Sequence, residues 1–481
     1  MLKRVQLLVL LSLLSACAVG PDYKRPEVDL PATWRVEIKD ASSIADVSWW
    51  EEFHDPELTQ LITTALQNNN DLRIAAARVE RYFALYGIAR SNFFPQVNSD
   101  ASYARQRFSK QTLPETGDLM NGTERDYYVA EGTLSWEIDL WGKIRRSTEA
   151  ARADIMSQEA ARRGVILTVV TNVAIEYATL RDLDQRLAIA KSTLESRRHS
   201  LQLAQDRVNA GTASELDLRQ AESDMYAVQA SIAPLEFQIA QSENLLSILV
   251  GSNPGPIRRG KPIGALMPTG AIPVSLPSSL IDQRPDVIQA EEALRGANAR
   301  IGVAKAAFFP SLSLTGLFGF VSTDLSEWIR SDSRQWQYGP NVSLPIFNAG
   351  KIGNQVRVAE ADTEQAVANY KAVILNALRE VENALIGFQK TRQQIDAQTK
   401  QVGALQQYLQ LSQQRYDEGQ SSYLEVLDAQ RNLFSAQLGL AQTEGLQVGL
   451  YIGLFRALGG GWVGQADKLT VEPKRETSWI F

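Results

Sequence analysis

The sequence has little with which to do chemistry. Its 481 residues include two histidines, His54 and His199, and one cysteine, Cys17. A structural or catalytic metal site draws on several such side chains together, and a nucleophilic triad needs a histidine set among partners. Neither constellation is present, and no phosphate-cradling glycine loop or nucleophile elbow occurs. The reading is a protein that is not an enzyme and holds no cofactor and no metal. Positive charge is also scarce. The net charge is −6, so nothing is basic enough to track a phosphate backbone, and nucleic acid is not an expected partner. Beyond the first residues no stretch supplies the ~20 apolar residues of a spanning helix. A membrane role would have to come from β-strands.

What is present begins with a leader. Lys3 and Arg4 precede an apolar run from Leu7 to Leu14, then small residues and Cys17. This is a secretory signal over residues 1–16, too short to span a bilayer. The tetrapeptide "LSAC" resembles the bacterial lipoprotein box. That resemblance implies cleavage before Cys17 and lipidation there, palmitate included. Ala18 in the next position, where no aspartate stands, fits sorting to the outer membrane.

The mature chain opens with a Pro-rich strap, residues 17–55. A first helix follows, with Asp55 suited to cap it and Pro56 to its first turn. Asn68–Asn70 interrupts it, and a second helix runs to about Ser91. The period then changes from 3.6 to two. Strands are expected at about 97–108 and 127–138, with Tyr128, Ala130, Leu134, Trp136 and Ile138 on one face and Glu131, Thr133, Ser135 and Glu137 on the other. From Gly142 to Asn209 the chain has no proline. Ile166, Val173, Leu180, Leu187, Leu194, Leu201 and Val208 recur every seven residues there, which implies supercoiling against neighbours. Such a helix is ~100 Å long at 1.5 Å per residue. Gly211 turns the chain, and a second long helix returns to Val250, with Pro234 expected to kink it. Residues 252–277 form a Pro/Gly-rich linker.

The pattern then starts again. "RVNAGTAS" at 207–214 matches "RYDEGQSS" at 415–422, an offset of 415 − 207 = 208. "GKI" recurs at 142 and 350 at the same offset, and "NFFP" has its counterpart in "AFFP". Shifting the heptad positions by 208 gives Ile374, Val381, Phe388, Ile395, Val402, Leu409 and Tyr416, all apolar. Residues 56–251 and 278–461 are therefore two copies of one unit, a β-hairpin plus a long helical hairpin, and 462–481 is a C-terminal tail. Strands of the second copy are expected at about 311–320 and 338–347. Aromatics gather near strand ends (Phe93, Phe94, Trp141, Phe308, Phe309, Trp336, Phe347), as in the girdles of membrane barrels. Four strands cannot close a barrel, and lipid tolerates no open edge, so a membrane reading requires an oligomer.

The runs "WWEEFHDPELTQLITTALQNNNDLRIAAARV", "SLPSSLIDQRPDVIQAEEAL" and "RYDEGQSSYLEVLDAQRNLF" resemble the TolC-like outer membrane factor family, in its NodT/OprM branch. The resemblance implies an α+β membrane protein. It would be a homotrimer whose 12-stranded β-barrel continues into a 12-helix periplasmic α-barrel, with an equatorial belt from the termini. It implies a passive outer-membrane exit duct of a tripartite efflux system. The partners would be a periplasmic adaptor (membrane fusion protein), an inner-membrane RND-type transporter and outer-membrane lipid. Carried onto this chain, it makes Leu424 an apolar constriction, Asp428 a carboxylate ring with Glu425 beside it, and Tyr416 part of the closed tip. Arg207, Gly211, Arg415 and Gly419 become the tips that meet the adaptor. Some relatives carry an arginine two residues past the turn glycine. Here that position is Ser421, so their salt-bridge latch has no matching residue. Two alternatives stay open: a duct for type I protein secretion, and a lipid-anchored coiled-coil scaffold without a pore.

Overall fold

The computed structural model describes residues 18–35, 41–42, 48–107, 124–267, 272–273, 277, 280–459 and 462–474. Cys17, the signal segment and the tail beyond residue 474 lie outside the described residues. The chain divides into two compact units, and the boundary between them falls inside four helices.

One unit comprises Met1–Glu27, Arg81–Ser157 and Ala290–Tyr370. Its centre is an antiparallel sheet of four strands: β1 Gln96–Arg107, β2 Glu124–Ile138, β3 Ser311–Ser322 and β4 Arg334–Ser343, in the order β1-β2-β3-β4. Opposed residues share a face. The register aligns Val97, Leu134, Gly316 and Tyr338 on one rung, and Trp136, Leu314 and Pro340 on another. That face also carries Ile138, Leu312, Phe318, Phe320, Trp336 and Val342. The opposite face carries Asn98, Asp100, Glu131, Thr133, Ser135, Ser313, Thr315, Gln337 and Asn341. The sheet is thus oily on one side and polar on the other, from both copies of the repeat. The fourth strand corrects the expected 338–347. It starts four residues earlier and stops at Ser343, short of Leu344 and Ile346. Pairing with β3 sets the start, because Arg334 opposes Phe320, and Pro345, which lacks an N–H, cannot extend the ladder. Pro340 lies on β4, which within one chain is paired on one side only, so its missing N–H need not interrupt the ladder with β3.

In the same unit the strap docks through a chain of charges. Arg25 donates to both carboxylate oxygens of Glu291, at 3.0 and 2.5 Å, and Arg295 reaches Glu291 at 3.1 Å. Burial opposes the Glu291 charge, but the two guanidiniums prevail and hold its carboxyl below the usual range. Val19 donates its N–H to the Trp141 carbonyl (3.0 Å); a Cβ at Gly20 would strike the Gly302 backbone, and one at Gly302 would strike the Val19 carbonyl.

The other unit comprises Val28–Glu80, Gln158–Gln289 and Lys371–Phe481. Helix α1, Pro56–Asn68, starts where Asp55 accepts from the N–H groups of Glu57 and Leu58. Helix α2 is Asn70–Ser91. Helix α3, Lys143–Asn209, and α4, Glu215–Leu249, form the first hairpin, with Pro234 inside a helix that runs on through it. Helix α5 is Pro285–Ala306. Helix α6, Lys351–Asp417, and α7, Tyr423–Ala457, form the second hairpin. The heptad residues Ile166, Val173, Leu180, Ile374, Val381 and Phe388 are buried. One 18-residue window of α3 is apolar enough by composition to cross a membrane, contrary to the sequence reading. More than half of it is buried inside the fold, so its apolarity serves packing. Trp49, in a short 3-10 turn Trp49–Phe53 ahead of α1, stacks on Phe455 (5.1 Å between centroids) and meets Trp462 edge-on, which ties that turn to the C-terminal segment.

The linker is no loose tether. Gly260 donates its N–H to the Tyr177 hydroxyl (2.8 Å), Lys261 donates its N–H to Asp55 (2.8 Å), and Ile263 and Leu266 are buried. Asp55 therefore serves twice, capping α1 and holding the linker.

Candidate functional site

The two hairpin turns are built alike. Helix α3 ends at Asn209, and Gly211 takes a left-handed φ of +73°. The Thr212 N–H then returns to the Arg207 carbonyl at 2.8 Å. Helix α6 ends at Asp417, Gly419 has φ +70°, and the Gln420 N–H returns to the Arg415 carbonyl at 2.8 Å. This is glycine C-capping that satisfies the last carbonyls of each helix. Beneath the turns a small core forms from Ala204, Leu218, Ala221, Tyr423, Val426 and Leu427, with Tyr416 packed against it.

The turns are tied together. Arg207 reaches the Asp417 carboxylate at 3.0 Å, and its guanidinium lies 4.7 Å from the centre of the Tyr416 ring. Hydrogen bonding to Tyr416, then to Asp417, raises the Arg207 pKa further. Tyr416 in turn meets Tyr423 at 5.2 Å. Of the four tip residues, Arg207 and Gly211 lie on the first turn, Arg415 and Gly419 on the second. The Arg415 side chain is exposed.

Leu424 and Asp428 are exposed, with Glu425 half-buried between them. Four residues apart on α7, Leu424 and Asp428 share a helix face. Tyr423, Val426 and Leu427 point the other way, into the small core. The Leu424–Asp428 face is therefore free of the chain's own packing. Asp428 accepts from Asn432 (3.0 Å) and, at 3.4 Å, from the Tyr408 hydroxyl.

One cluster escaped the sequence reading. Asp224 on α4 holds Arg197 of α3 at 2.6 Å and Arg431 of α7 at 2.7 Å, and both Arg197 and Asp224 are almost wholly buried. Burial lowers the Arg197 pKa, and the adjacent Asp224 charge opposes that fall. The trio joins three helices of two hairpins, three residues from Asp428. A signal existed: all three positions break the repeat. Their counterparts at the 208 offset are Asn432 for Asp224, Ser223 for Arg431 and Leu405 for Arg197. Among the described residues no group of His, Cys, Asp and Glu is arranged to hold a metal.

A duplicated hairpin unit, a half-oily four-stranded sheet and two 67-residue helices constrain kinship narrowly. The profile of the family described as outer membrane efflux protein matches residues 61–252 and 276–460, one match in each copy. The chain belongs to this family. The channel is similar to the solvent efflux pump outer membrane protein SrpC of Pseudomonas putida, at 39% identity over 460 residues, 94% of this chain and 97% of the relative. It is 34% identical to the cation efflux system protein CusC of Escherichia coli O6:H1 over 454 residues, 93% and 96% of the two chains. The solved outer-membrane channel OprN superposes on it with a TM-score of 0.84 at 30% identity, covering 93% of this chain and 100% of that one. The channel is accordingly an efflux duct of the outer membrane that extends into the periplasm, and not an enzyme.

Proposed function

We propose that three copies of the chain form a passive exit duct whose gate is the Leu424–Asp428 face. The observation that carries this is the sheet. Its edges, β1 and β4, have no partner strand among the described residues, and an open edge is not tolerated in lipid. Neighbouring copies supply the missing partners, so three four-stranded sheets close one twelve-stranded barrel. The oily face then meets lipid and the polar face lines the pore. The helical hairpins continue the duct through the periplasm. Cys17, the acylated first residue of the mature chain, tethers it to the membrane.

At the far end, Leu424 of each copy narrows the axis and Asp428 adds a ring of carboxylates that attracts cations. Glu425 flanks the ring, and Tyr416, held by Arg207, keeps the second hairpin against the first. The turns around Arg207, Gly211, Arg415 and Gly419 dock a periplasmic adaptor, which joins the duct to an inner-membrane pump of the RND class. Energy is spent at that pump. The cargo class is small molecules: organic solvents and drugs, as the similarity to a solvent efflux protein supports, or metal ions, as the similarity to a cation efflux protein supports.

Planar-bilayer recording tests the gate. The double variant Leu424→Ala/Asp428→Ala should conduct more than the wild type and pass larger solutes. Unchanged conductance in that variant would place the gate elsewhere, and no current from the purified wild-type oligomer would sink the duct.

A further inference from the structure

The lipid-facing side of the sheet is not smooth. Two glycines lie on adjacent rungs: Gly316, with Val97, Leu134 and Tyr338, and Gly132, with Ser99, Phe318 and Trp336. They floor a groove of about 620 Å³ walled by Val97, Leu134, Phe318, Trp336 and Tyr338. The groove crosses all four strands and does not follow an edge, so a neighbouring copy is not its occupant. Trp336 and Tyr338 stack with centroids 5.6 Å apart, and Tyr338 is 79% exposed.

A cation heads the groove. Arg334 occupies the next rung, on the same face as Trp336 and two residues before it, ~7 Å along the strand. It is exposed and has no ion-pair partner among the described residues. The neighbouring guanidiniums are engaged: Arg105 and Arg107 with Glu124, Arg330 with Glu327. Arg334 stands where β4 leaves its loop. The sheet's junctions with α5 and α6 are at the opposite end, after Ala306 and before Lys351. With the helices in the periplasm, Arg334 faces the outer leaflet.

We propose that this groove binds an acylated, phosphorylated glycolipid of the outer leaflet. One acyl chain lies over Gly132 and Gly316 between the aromatic walls, and a headgroup phosphate pairs with Arg334. A planar guanidinium suits a phosphate, and a cation at the membrane surface favours an anionic lipid about fivefold. The inference rests on the outer-membrane barrel reading.

Trimer purified from outer membranes in mild detergent, with retained lipid quantified by mass spectrometry, tests it. The wild type should retain the phosphorylated glycolipid in preference to glycerophospholipids. Arg334→Gln should retain about fivefold less. Gly316→Leu should lose it too, because the side chain fills the groove while a Cβ there meets only ordinary contacts. Arg330→Gln should behave as wild type, and all three variants should conduct normally in bilayers. Equal glycolipid in wild type, Arg334→Gln and Gly316→Leu overturns the proposal. So does preferential retention of glycerophospholipid, or a conducting wild-type trimer with no bound lipid. A wild-type trimer that fails to conduct overturns the barrel reading first, and this inference with it.

Discussion

The turns at Gly211 and Gly419 share a backbone and part company in their side chains. Both close with the same left-handed glycine and the same return hydrogen bond. After the first, Ser214 and Asp217 form a reciprocal capping box, and the helix start is locked by its own residues. After the second, Ser422 makes no side-chain cap. The exposed face that follows carries Leu424 and Asp428, where the first copy has Leu216 and Gln220. The first hairpin is held by local bonds. The second is held by the first, through Arg207 to Asp417 and Asp224 to Arg431. Duplication thus produced one hairpin that anchors and one that is anchored, and an anchored element can be released by breaking a few contacts.

That contrast breaks most severely at Asp224. Asp224→Ala leaves Arg197 buried without its partner, an expected cost of about 3–5 kcal/mol. Thermal unfolding should show a large loss, and bilayer recordings a less tightly closed channel. A variant with wild-type melting and wild-type conductance would remove the trio from the account. Next come the glycines. Nothing lies within contact of a Cβ added at Gly211 or Gly419, so alanine there costs only the strain of the left-handed backbone, about 1–2 kcal/mol. The two losses should be equal, and chemical denaturation of both variants would expose any inequality between the turns. The caps should separate the turns again. Ser214→Ala is expected to lose about 1 kcal/mol, and Ser422→Ala close to nothing.

The smallest effect concerns Asp182, buried on α3, whose counterpart in the second copy is the exposed Lys390. Burial lifts the Asp182 carboxyl above the usual range, and Arg186, at 3.6 Å, offsets this only in part. The folded state therefore binds the proton more tightly than the unfolded chain. The resulting loss of stability is absent below about pH 4 and grows as pH rises through the folded-state value. Asp182→Asn should melt higher than wild type at pH 7, by roughly 1 kcal/mol or less. Melting curves from pH 7 down to about 4 should show that gain shrinking. A gain that is constant with pH would mean that ionisation is not its source.

Much of the architecture could be read from the residues because it is periodic. Seven-residue spacing from Ile166 to Val208 survives translation by 208, and burial follows it. The hairpins were legible from alternation such as Trp136, Ile138 against Ser135, Glu137. Asp55 and Pro56 announced the start of α1 by chemistry alone. What escaped depends on partners distant in sequence. The extent of β4 is fixed by Phe320 across the ladder, while Leu344 and Ile346 carry the alternation past the last paired residue. The linker looked like a spacer because Pro and Gly dominate it, yet its backbone N–H groups find Asp55 and Tyr177. Asp224, Arg197 and Arg431 sit on three different helices, and only their packing joins them into a tie whose Arg197–Asp224 centre is buried. The exposed Leu424–Asp428 face was legible as a shared helix face.

The equal lengths of the two hairpins carry a consequence for how such chains vary. Helices α3 and α6 each have 67 residues, and α4 and α7 each have 35. Removing one residue from α3 would turn everything beyond it by about 100° and draw its tip back ~1.5 Å. Its heptad would leave the seam, and Arg207 would leave Asp417. Only length changes of whole heptads, matched in both copies, keep both the seam and the Arg207–Asp417 tie. Staves of one cask can be recut only together.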